Sequence, residues 1–496
     1  MKKYDAIVVG AGLSGLASAL FLAKEKKKVL LLDSHNKIGG NLRTSKKGRF
    51  EFNNDFFNFY LDKKGDEEYR LSNVLEQLGV DDNIKFVELS NYFRIISDKK
   101  DYTMPLGIDA FILKMEEYVP NSKESIQVFF ELAKECREAL RYINSGKIDL
   151  DVLKDQYSNF MKVGFNSTSK VLDAIDMPVD AQSILNSCWL LLGSPETDIS
   201  FLDYGVFMLN AIEYGLKVPK YSNNNIAMVL LDKYLELGGE LKLNCEVKSV
   251  IVEESKVNGV KLFDGSSVYA NRVIINSSIN NVYRNLIAPN KIPRKALRSI
   301  NKRMLGGNLF TVNLGLNRSF EDLGIKEYMT FLYHSLYSDD EYIRMGEISN
   351  GNMFAICPNV IDSRASEDGT CILSLNAVFF NNAFDKFTSK DTYFSDINNL
   401  ALRLINYYQK KTNTVIFDYI EEIEIVTPID IMSISNMDEL SVYGYKLEEF
   451  ESLLPKMLNK SNEQYIEGLE ICNGFNGDLY NYSYSLYNGF EVSNKK

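Results

Sequence analysis

The sequence predicts an α/β fold in which a dinucleotide-binding domain, built on a parallel sheet, is interrupted by a second, α+β domain. Residues 5–33 have the pattern strand, glycine turn, helix, strand, which is the βαβ unit of a doubly wound sheet. Residues 105–215 then show helical spacing of apolar residues. The chain has 496 residues, more than one hydrophobic core usually serves, so at least two domains are expected.

A glycine-rich turn joins the first strand to the first helix. The strand is the apolar run 5–9, and the turn that follows it is Gly10-Ala11-Gly12-Leu13-Ser14-Gly15. Glycines at these positions permit the tight bend, the approach of a pyrophosphate to the backbone, and close packing of helix on strand. The anion would lie on the N–H groups at the helix N-terminus. A βαβ unit without a ligand is the alternative interpretation.

An acidic residue ends the second strand. Residues 29–32 are Val-Leu-Leu-Leu, a run typical of a buried parallel strand, and Asp33 and Ser34 follow it. A carboxylate at this distance from the glycine turn accepts hydrogen bonds from a ribose hydroxyl. His35 is expected either to contact the adenosine or to be an exposed turn residue.

A second glycine turn, Gly39-Gly40-Asn41-Leu42-Arg43, comes soon after this acid. The two glycines suit a backbone held near an anion, and the arginine offers a planar fork of donors to phosphate. A surface turn with a solvated arginine is the alternative. In its sequence context the segment resembles the GG-x-x-R-T segment of the flavin amine oxidase and phytoene desaturase superfamily. That resemblance implies FAD, with this turn closing over its diphosphate in a GG-type Rossmann domain.

Composition excludes several classes of function. The formal net charge is −11 and the pI is near 5.1, which argues against a nucleic-acid partner. No apolar run is long enough to span a membrane, and the first strand begins too early to leave room for a signal peptide. Six scattered cysteines without CxxC spacing are typical of reduced thiols in a cytoplasmic protein, and two histidines make a metal site improbable.

The order of the predicted elements divides the chain into five segments. We expect the FAD-binding domain in 1–104, 216–290 and 436–496, a helical part of the substrate domain in 105–215, and its sheet in 291–435. Helices are predicted at 66–80, from an N-cap at Asn121, at 178–193, 225–237 and 395–411. Strands are predicted at 86–96, 102–104, 240–253, 256–263, 267–270, 272–276, 308–316, 353–358, 371–378 and 468–472.

Across nearly the whole chain, the sequence resembles the phytoene desaturase-like flavoproteins, closest to the carotenoid isomerase and retinol saturase branch. The two glycine turns carry the resemblance, together with residues 189–195, 357–378 and 427–445. It implies a hydrophobic polyene or isoprenoid-like substrate and chemistry at the flavin ring: desaturation, saturation or isomerisation, of which we favour net redox change. The substrate pocket is expected to be mostly apolar. Peripheral contact with a membrane is left open, and the oligomeric state is not predicted.

The resemblance also assigns residues, and it shows departures from the family pattern. Val247 would meet the adenine through its backbone. Asn473 and Gly474 stand where the family has its closing Gly-Asp, and Asp55 replaces a glycine near the flavin. Asp55 is therefore a candidate for proton transfer, or it fixes its loop by hydrogen bonds. The candidate cofactor-binding residues are Gly10, Gly12, Leu13, Ser14, Gly15, Asp33, Ser34, Gly39, Gly40, Asn41, Arg43, Val247, Asn473 and Gly474.

Two other functions remain open on the sequence. A flavin amine oxidase acting on a lipophilic amine would use the same cofactor-binding residues. The altered closing motif is also compatible with a non-catalytic binding protein that has kept the flavoprotein fold.

Overall fold

The computed structural model describes residues 4–53, 60–61, 71–98, 100–144, 148–193, 196–220, 222–302, 306–334, 352–379, 384, 387, 391–435, 442–443, 465–472 and 482–494. The strands of this part are β1 Ala6–Val9, β2 Val29–Leu32, β3 Thr44–Lys47, β4 Phe50–Asn53, β5 Tyr60–Leu61, β6 Phe86–Glu88, β7 Asn91–Ile96, β8 Asp101–Pro105, β9 Leu216–Pro219, β10 Glu240–Lys242, β11 Val247–Glu253, β12 Lys256–Leu262, β13 Ser267–Tyr269, β14 Val273–Ile275, β15 Asn308–Leu316, β16 Met329–Leu332, β17 Met353–Ile356, β18 Cys371–Phe379, β19 Ile420–Val426 and β20 Leu469–Ile471. Its helices are α1 Leu13–Lys24, α2 Leu71–Leu78, α3 Ile108–Tyr118, α4 Lys123–Asn144, α5 Leu150–Gln156, α6 Ser158–Val163, α7 Thr168–Ala174, α8 Val179–Asn186, α9 Trp189–Leu192, α10 Phe201–Tyr214, α11 Asn223–Glu236, α12 Ile279–Asn281, α13 Arg294–Lys302, α14 Tyr393–Thr412, α15 Pro428–Ser435 and α16 Tyr482–Asn494.

A parallel sheet of five strands carries the first glycine turn. Its order is β10-β2-β1-β14-β20, and each neighbouring pair is parallel. Strands distant in sequence thus meet beside β1, as the predicted discontinuous α/β domain requires. None of the helices in the described ranges is long and apolar enough to cross a membrane.

Helix α16 crosses α1 at very short range. A Cβ added to Gly489 would lie 2.2 Å from the carbonyl oxygen of Ser14, so no larger residue fits without movement of the backbone. The hydroxyl of Ser18 donates to the Gly489 carbonyl at 2.8 Å. This contact holds the helix of the glycine turn against the last described helix of the chain.

A second sheet of seven strands has the order β19-β15-β18-β17-β16-β7-β8. All its pairs are antiparallel except β16 with β7. β7 and β8 belong to it, although all their residues except Pro105 were counted with the first FAD-binding segment. One face packs apolar residues of β15 and β18 against α14. The predicted α+β character of this part is confirmed.

The helical block was predicted correctly as a whole, but two of its details were wrong. Asn121 is not an N-cap: it has φ +70°, and the Glu116 carboxylate accepts from its N–H at 2.8 Å and from that of Lys123 at 2.7 Å. The helix expected over 178–193 is two helices, α8 and α9, and Gly193 ends the second in the left-handed region at φ +66°.

The continuous strand expected over 240–253 was also wrong. Residues 240–242 are β10 of the parallel sheet, whereas β11 begins at Val247 and pairs with β12 in a separate antiparallel sheet. The alternating pattern holds in both pieces, so periodicity alone could not reveal the change of sheet. The other predicted strands and the long helix α14 lie within a few residues of their expected bounds.

Candidate functional site

The first glycine turn has the geometry that its sequence predicts. Gly10 has φ +94°, a conformation suited to glycine, and its N–H donates to the Leu32 carbonyl at 2.7 Å. A Cβ at Gly15 would lie 1.9 Å from the Gly10 carbonyl oxygen. The turn is therefore packed so tightly that α1 directs its N-terminus, with the buried Leu13 and Ser14, at the carboxyl edge of the sheet.

Asn276 lies against the middle glycine of this turn, and sequence reasoning missed it. A Cβ at Gly12 would be 2.4 Å from the Asn276 Oδ1 atom. The Asn276 amide donates through Nδ2 to the Cys472 carbonyl at 2.8 Å, and its backbone N–H donates to the Val9 carbonyl at 2.8 Å. The available signal was its position after a buried strand, since parallel strands end at one edge.

Asp33 connects the two glycine turns from a buried position. Its Oδ2 atom accepts from the Ala11 N–H at 2.7 Å, and its Oδ1 atom accepts from the His35 N–H at 2.8 Å. The ring Nδ1 of His35 lies 3.2 Å from Oδ1 and 3.1 Å from the Ser34 hydroxyl. The carboxylate is therefore held rigidly at the strand end where we expected a ribose contact.

The second glycine turn lies directly on the first. Gly39 has φ +102° and Gly40 has φ +56°, and the Gly39 N–H donates to the Ala11 carbonyl at 2.8 Å. A Cβ at Gly40 would lie 3.3 Å from the Gly12 Cα. The two backbones thus approach each other at positions where neither carries a side chain. We call this paired turn, residues 10–15 and 39–43, the glycine cradle.

Arg43 closes one side of the glycine cradle. Its Nη2 atom lies 3.6 Å from the Asp33 Oδ1 atom, and its guanidinium donates to the carbonyls of Ile38 at 3.2 Å and Lys37 at 2.5 Å. Burial lowers the pKa of Arg43, and the Asp33 carboxylate partly opposes that effect. A partly buried arginine beside a carboxylate is preorganised to meet a phosphate oxygen.

Two further candidates lie near the acid, and three lie outside the described residues. The Cys245 N–H donates to the Asp33 carbonyl at 2.8 Å, so the chain just before Val247 lies beside the end of β2. Val247 itself is buried at the start of β11. Asn41 lies in the short 3-10 turn Gly40–Leu42. Asp55, Asn473 and Gly474 fall outside the part of the chain that the structure describes.

The glycine cradle fits the diphosphate and ribose of a dinucleotide such as FAD. Gly12 and Gly40 lack side chains where the two turns approach each other, and Arg43 supplies a positive charge. The Ser14 hydroxyl at the start of α1 is buried and has no hydrogen-bond partner within the described ranges, so it is available to a ligand. When bound, FAD supplies the capacity to accept and donate a hydride, and these are the residues that would hold and orient it.

A cavity of about 130 Å³ lies between β4, the start of α11 and the seven-stranded sheet. Asn53 of β4 and Asn223 of α11 line it, and the next residue of α11, Asn224, lies against Gly39: a Cβ there would be 3.5 Å from the Asn224 Oδ1 atom. From the sheet, Thr311, Asn313, Ser374, Asn376, Ile356 and Ile372 line the cavity. This lining is more polar than the apolar pocket that we expected from the sequence.

Comparison with known proteins gives this geometry a family context. Residues 13–344 match the family described as flavin containing amine oxidoreductase. The chain is 24% identical to an all-trans-retinol 13,14-reductase of Danio rerio over 458 residues, which are 86% of this chain and 75% of the relative. It is 26% identical to a 4,4'-diapophytoene desaturase (4,4'-diapolycopene-forming) of Methylomonas sp over 330 residues, 64% of this chain and 61% of the relative.

The fold has counterparts among solved structures. The cyclohexylamine oxidase of Brevibacterium oxydans superposes with a TM-score of 0.62 over 99% of this chain and 98% of the oxidase. Sequence identity in that comparison is 12%, so the likeness concerns the fold alone.

Proposed function

The chain belongs to the flavin-containing amine oxidoreductase family and is a FAD-dependent oxidoreductase, and on that premise we propose that it acts on C–C bonds of a hydrophobic polyene or isoprenoid-like substrate. The names of the relatives support the substrate class: one is a retinol reductase and the other a diapophytoene desaturase. We favour net desaturation or saturation over isomerisation.

The single observation that carries the cofactor assignment is the approach of Gly12 to Gly40. Both positions lack a side chain where two backbones meet at the N-terminus of α1, and a helix N-terminus with open backbone N–H groups binds an anion. We propose that the glycine cradle, together with Asp33, Ser34 and the backbone of Val247, holds FAD. Asn473 and Gly474 are proposed for the end of the cofactor that the family binds there, and Asp55 for the vicinity of the flavin ring.

We propose the domain arrangement in the same terms. The cofactor domain would consist of 1–104, 216–290 and 436–496, with β7 and β8 extending from its first segment into the seven-stranded sheet. The remaining segments would cover the flavin ring and form the substrate site. All six cysteines carry free thiols, which favours a reducing compartment such as the cytoplasm. A hydrophobic substrate favours peripheral contact with a membrane as the route of delivery.

The test is anaerobic mixing of the flavin-loaded protein with a polyene while the flavin absorbance is recorded. Loss of the oxidised flavin spectrum on adding 4,4'-diapophytoene supports a desaturase. Reoxidation of chemically reduced flavin by all-trans-retinol supports a saturase. Rearranged polyene with no net electron transfer would replace our choice with isomerisation. Reduction by a lipophilic amine alone would identify an amine oxidase, and purified protein that never retains FAD would identify a non-catalytic binding protein.

A further inference from the structure

Four uncharged polar side chains form a patch on the seven-stranded sheet where it lines the cavity. Thr311 and Asn313 lie on β15, and Ser374 and Asn376 lie on β18. Both asparagines are fully buried and Thr311 is only 4% exposed. The alternate residues of the same strands are apolar and pack on the opposite face. We call these four cavity-facing residues the polar row.

The hydrogen atoms of both hydroxyl groups are used within the polar row. The Thr311 hydroxyl donates to the Asn376 Oδ1 atom at 2.8 Å, and the Ser374 hydroxyl donates to the Asn313 Oδ1 atom at 2.6 Å. The Asn376 amide donates to the Ser374 carbonyl at 3.2 Å, which fixes its orientation. A hydroxyl has one hydrogen and two lone pairs, so Thr311 and Ser374 retain capacity to accept.

A third acceptor faces the same cavity from the other domain. Asn53 is among the residues that line the cavity, and its Oδ1 atom is buried without a hydrogen-bond partner in the described part of the chain. A buried polar atom without a partner costs free energy unless a ligand supplies one. The cavity therefore presents neutral acceptors from two directions.

The charges around the cavity are already engaged. The Glu424 carboxylate accepts from the Asn313 amide at 3.2 Å and from the Ser45 hydroxyl at 2.6 Å. At the cavity wall, the Glu51 carboxylate accepts from the Thr44 hydroxyl at 2.6 Å. Asp362, also at the wall, pairs with Arg364 at 3.0 Å. Because an ammonium group loses more hydration than a hydroxyl on burial, neutral acceptors select the hydroxyl.

We propose that the polar row and Asn53 form a subsite for a hydroxyl group at one end of the substrate; this rests on the proposed function. The volume of about 130 Å³ equals that of roughly four water molecules. It therefore holds an end group and not a whole polyene. Val218, Ile356 and Ile372 would contact the first carbons next to that group.

The experiment compares the binding of three ligands to flavin-loaded protein by fluorescence quenching: all-trans-retinol, its deoxy hydrocarbon analogue, and retinylamine. The wild-type protein should bind the alcohol about 10-fold or more tightly than the hydrocarbon, as expected when a buried partner is left unpaired. Thr311→Val should reduce this preference to below about 3-fold, whereas Thr311→Ser, which keeps the hydroxyl, should preserve it. Thr330→Val is the matched control, because Thr330 is buried in β16 of the same sheet but is not among the cavity residues.

Three outcomes would overturn the subsite. They are equal binding of alcohol and hydrocarbon, tightest binding of the amine, and loss of flavin from Thr311→Val, which would assign the polar row to the cofactor. Conversion of a hydrocarbon polyene without preference for the alcohol would refute the subsite and leave the proposed function standing. A preference for the alcohol without any redox change would support the subsite and refute the proposed function.

Discussion

Replacing Gly12 by alanine should abolish FAD binding while the protein still folds. Gly12 has φ −76° and ψ 179°, which any residue adopts, so alanine introduces no backbone strain. The new Cβ lies 2.4 Å from the Asn276 Oδ1 atom, and that side chain must move. Its hydrogen bond to the Cys472 carbonyl is then lost, at a cost of about 1–3 kcal/mol in the free energy of unfolding.

A second variant separates this internal clash from a clash with the ligand. Asn276→Ala alone loses the same hydrogen bond, so it should be destabilised by a similar amount. In the double variant Gly12→Ala/Asn276→Ala the methyl group meets no side chain at this position. Its free energy of unfolding should therefore equal that of Asn276→Ala, or exceed it by about 0.4–1 kcal/mol, because alanine restricts the unfolded chain.

The assay is urea denaturation of the cofactor-free proteins combined with flavin titration followed by absorbance. We expect Asn276→Ala to retain measurable FAD binding. Both variants that carry the Gly12→Ala substitution should lose it, because the pyrophosphate has to approach a backbone that carries no side chain at this glycine. A double variant that folds with the stability of Asn276→Ala and binds FAD normally would show that the cofactor does not approach Gly12.

Two further predictions concern Asp33 and the buried thiols. Asp33→Ala should weaken FAD binding by roughly 1–3 kcal/mol in equilibrium titration, because a ribose hydroxyl loses its acceptor. The N–H groups of Ala11 and His35, which donate to Asp33, lose their acceptor as well. Unchanged affinity would exclude the ribose contact. Burial raises the pKa of Cys188 to about 12 and that of Cys472 to about 12, so neither thiol should react with iodoacetamide at pH 8 until the protein unfolds. Because these folded-state values exceed the unfolded value of about 8.5, their contribution to stability is complete below that pH. This stabilisation is lost as the pH rises from about 8.5 towards about 12. A free energy of unfolding that does not change with pH over this range would contradict the raised pKa of the two thiols.

The sequence predicted those parts of the structure whose conformation is set by residues close to one another in the sequence. The turns at Gly10 and Gly39, the acid at Asp33 and the strand Asn308–Leu316 follow from local pattern and backbone conformation. Asn276 was missed, because its position after a buried strand becomes informative only when it is known that β14 pairs with β1. The prediction of Asn121 as an N-cap was wrong for a related reason. The Glu116 carboxylate of the preceding helix accepts from the backbone N–H groups at this helix start.

The polar row shows the same limit in the substrate domain. Thr311 and Asn313 alternate with apolar residues in β15, and from sequence alone this pattern is equally typical of a strand with one solvent-facing side. Only the placement of β4 and α11 over that face makes it the lining of a cavity. Polar residues on a buried face were therefore undetectable without the tertiary arrangement.

The contact between Gly489 and Ser14 has a consequence for the order of events during synthesis. The glycine cradle lies within the first 43 residues, yet the sheet beneath it is completed by β14 and β20, and α1 packs against α16. While the ribosome is still extending the chain, β14 becomes available to β1 early, but β20 and α16 are synthesised last, so α1 has no helix α16 to pack against. We therefore expect the cradle to form, and flavin to be incorporated, only after Gly489 has left the ribosomal tunnel.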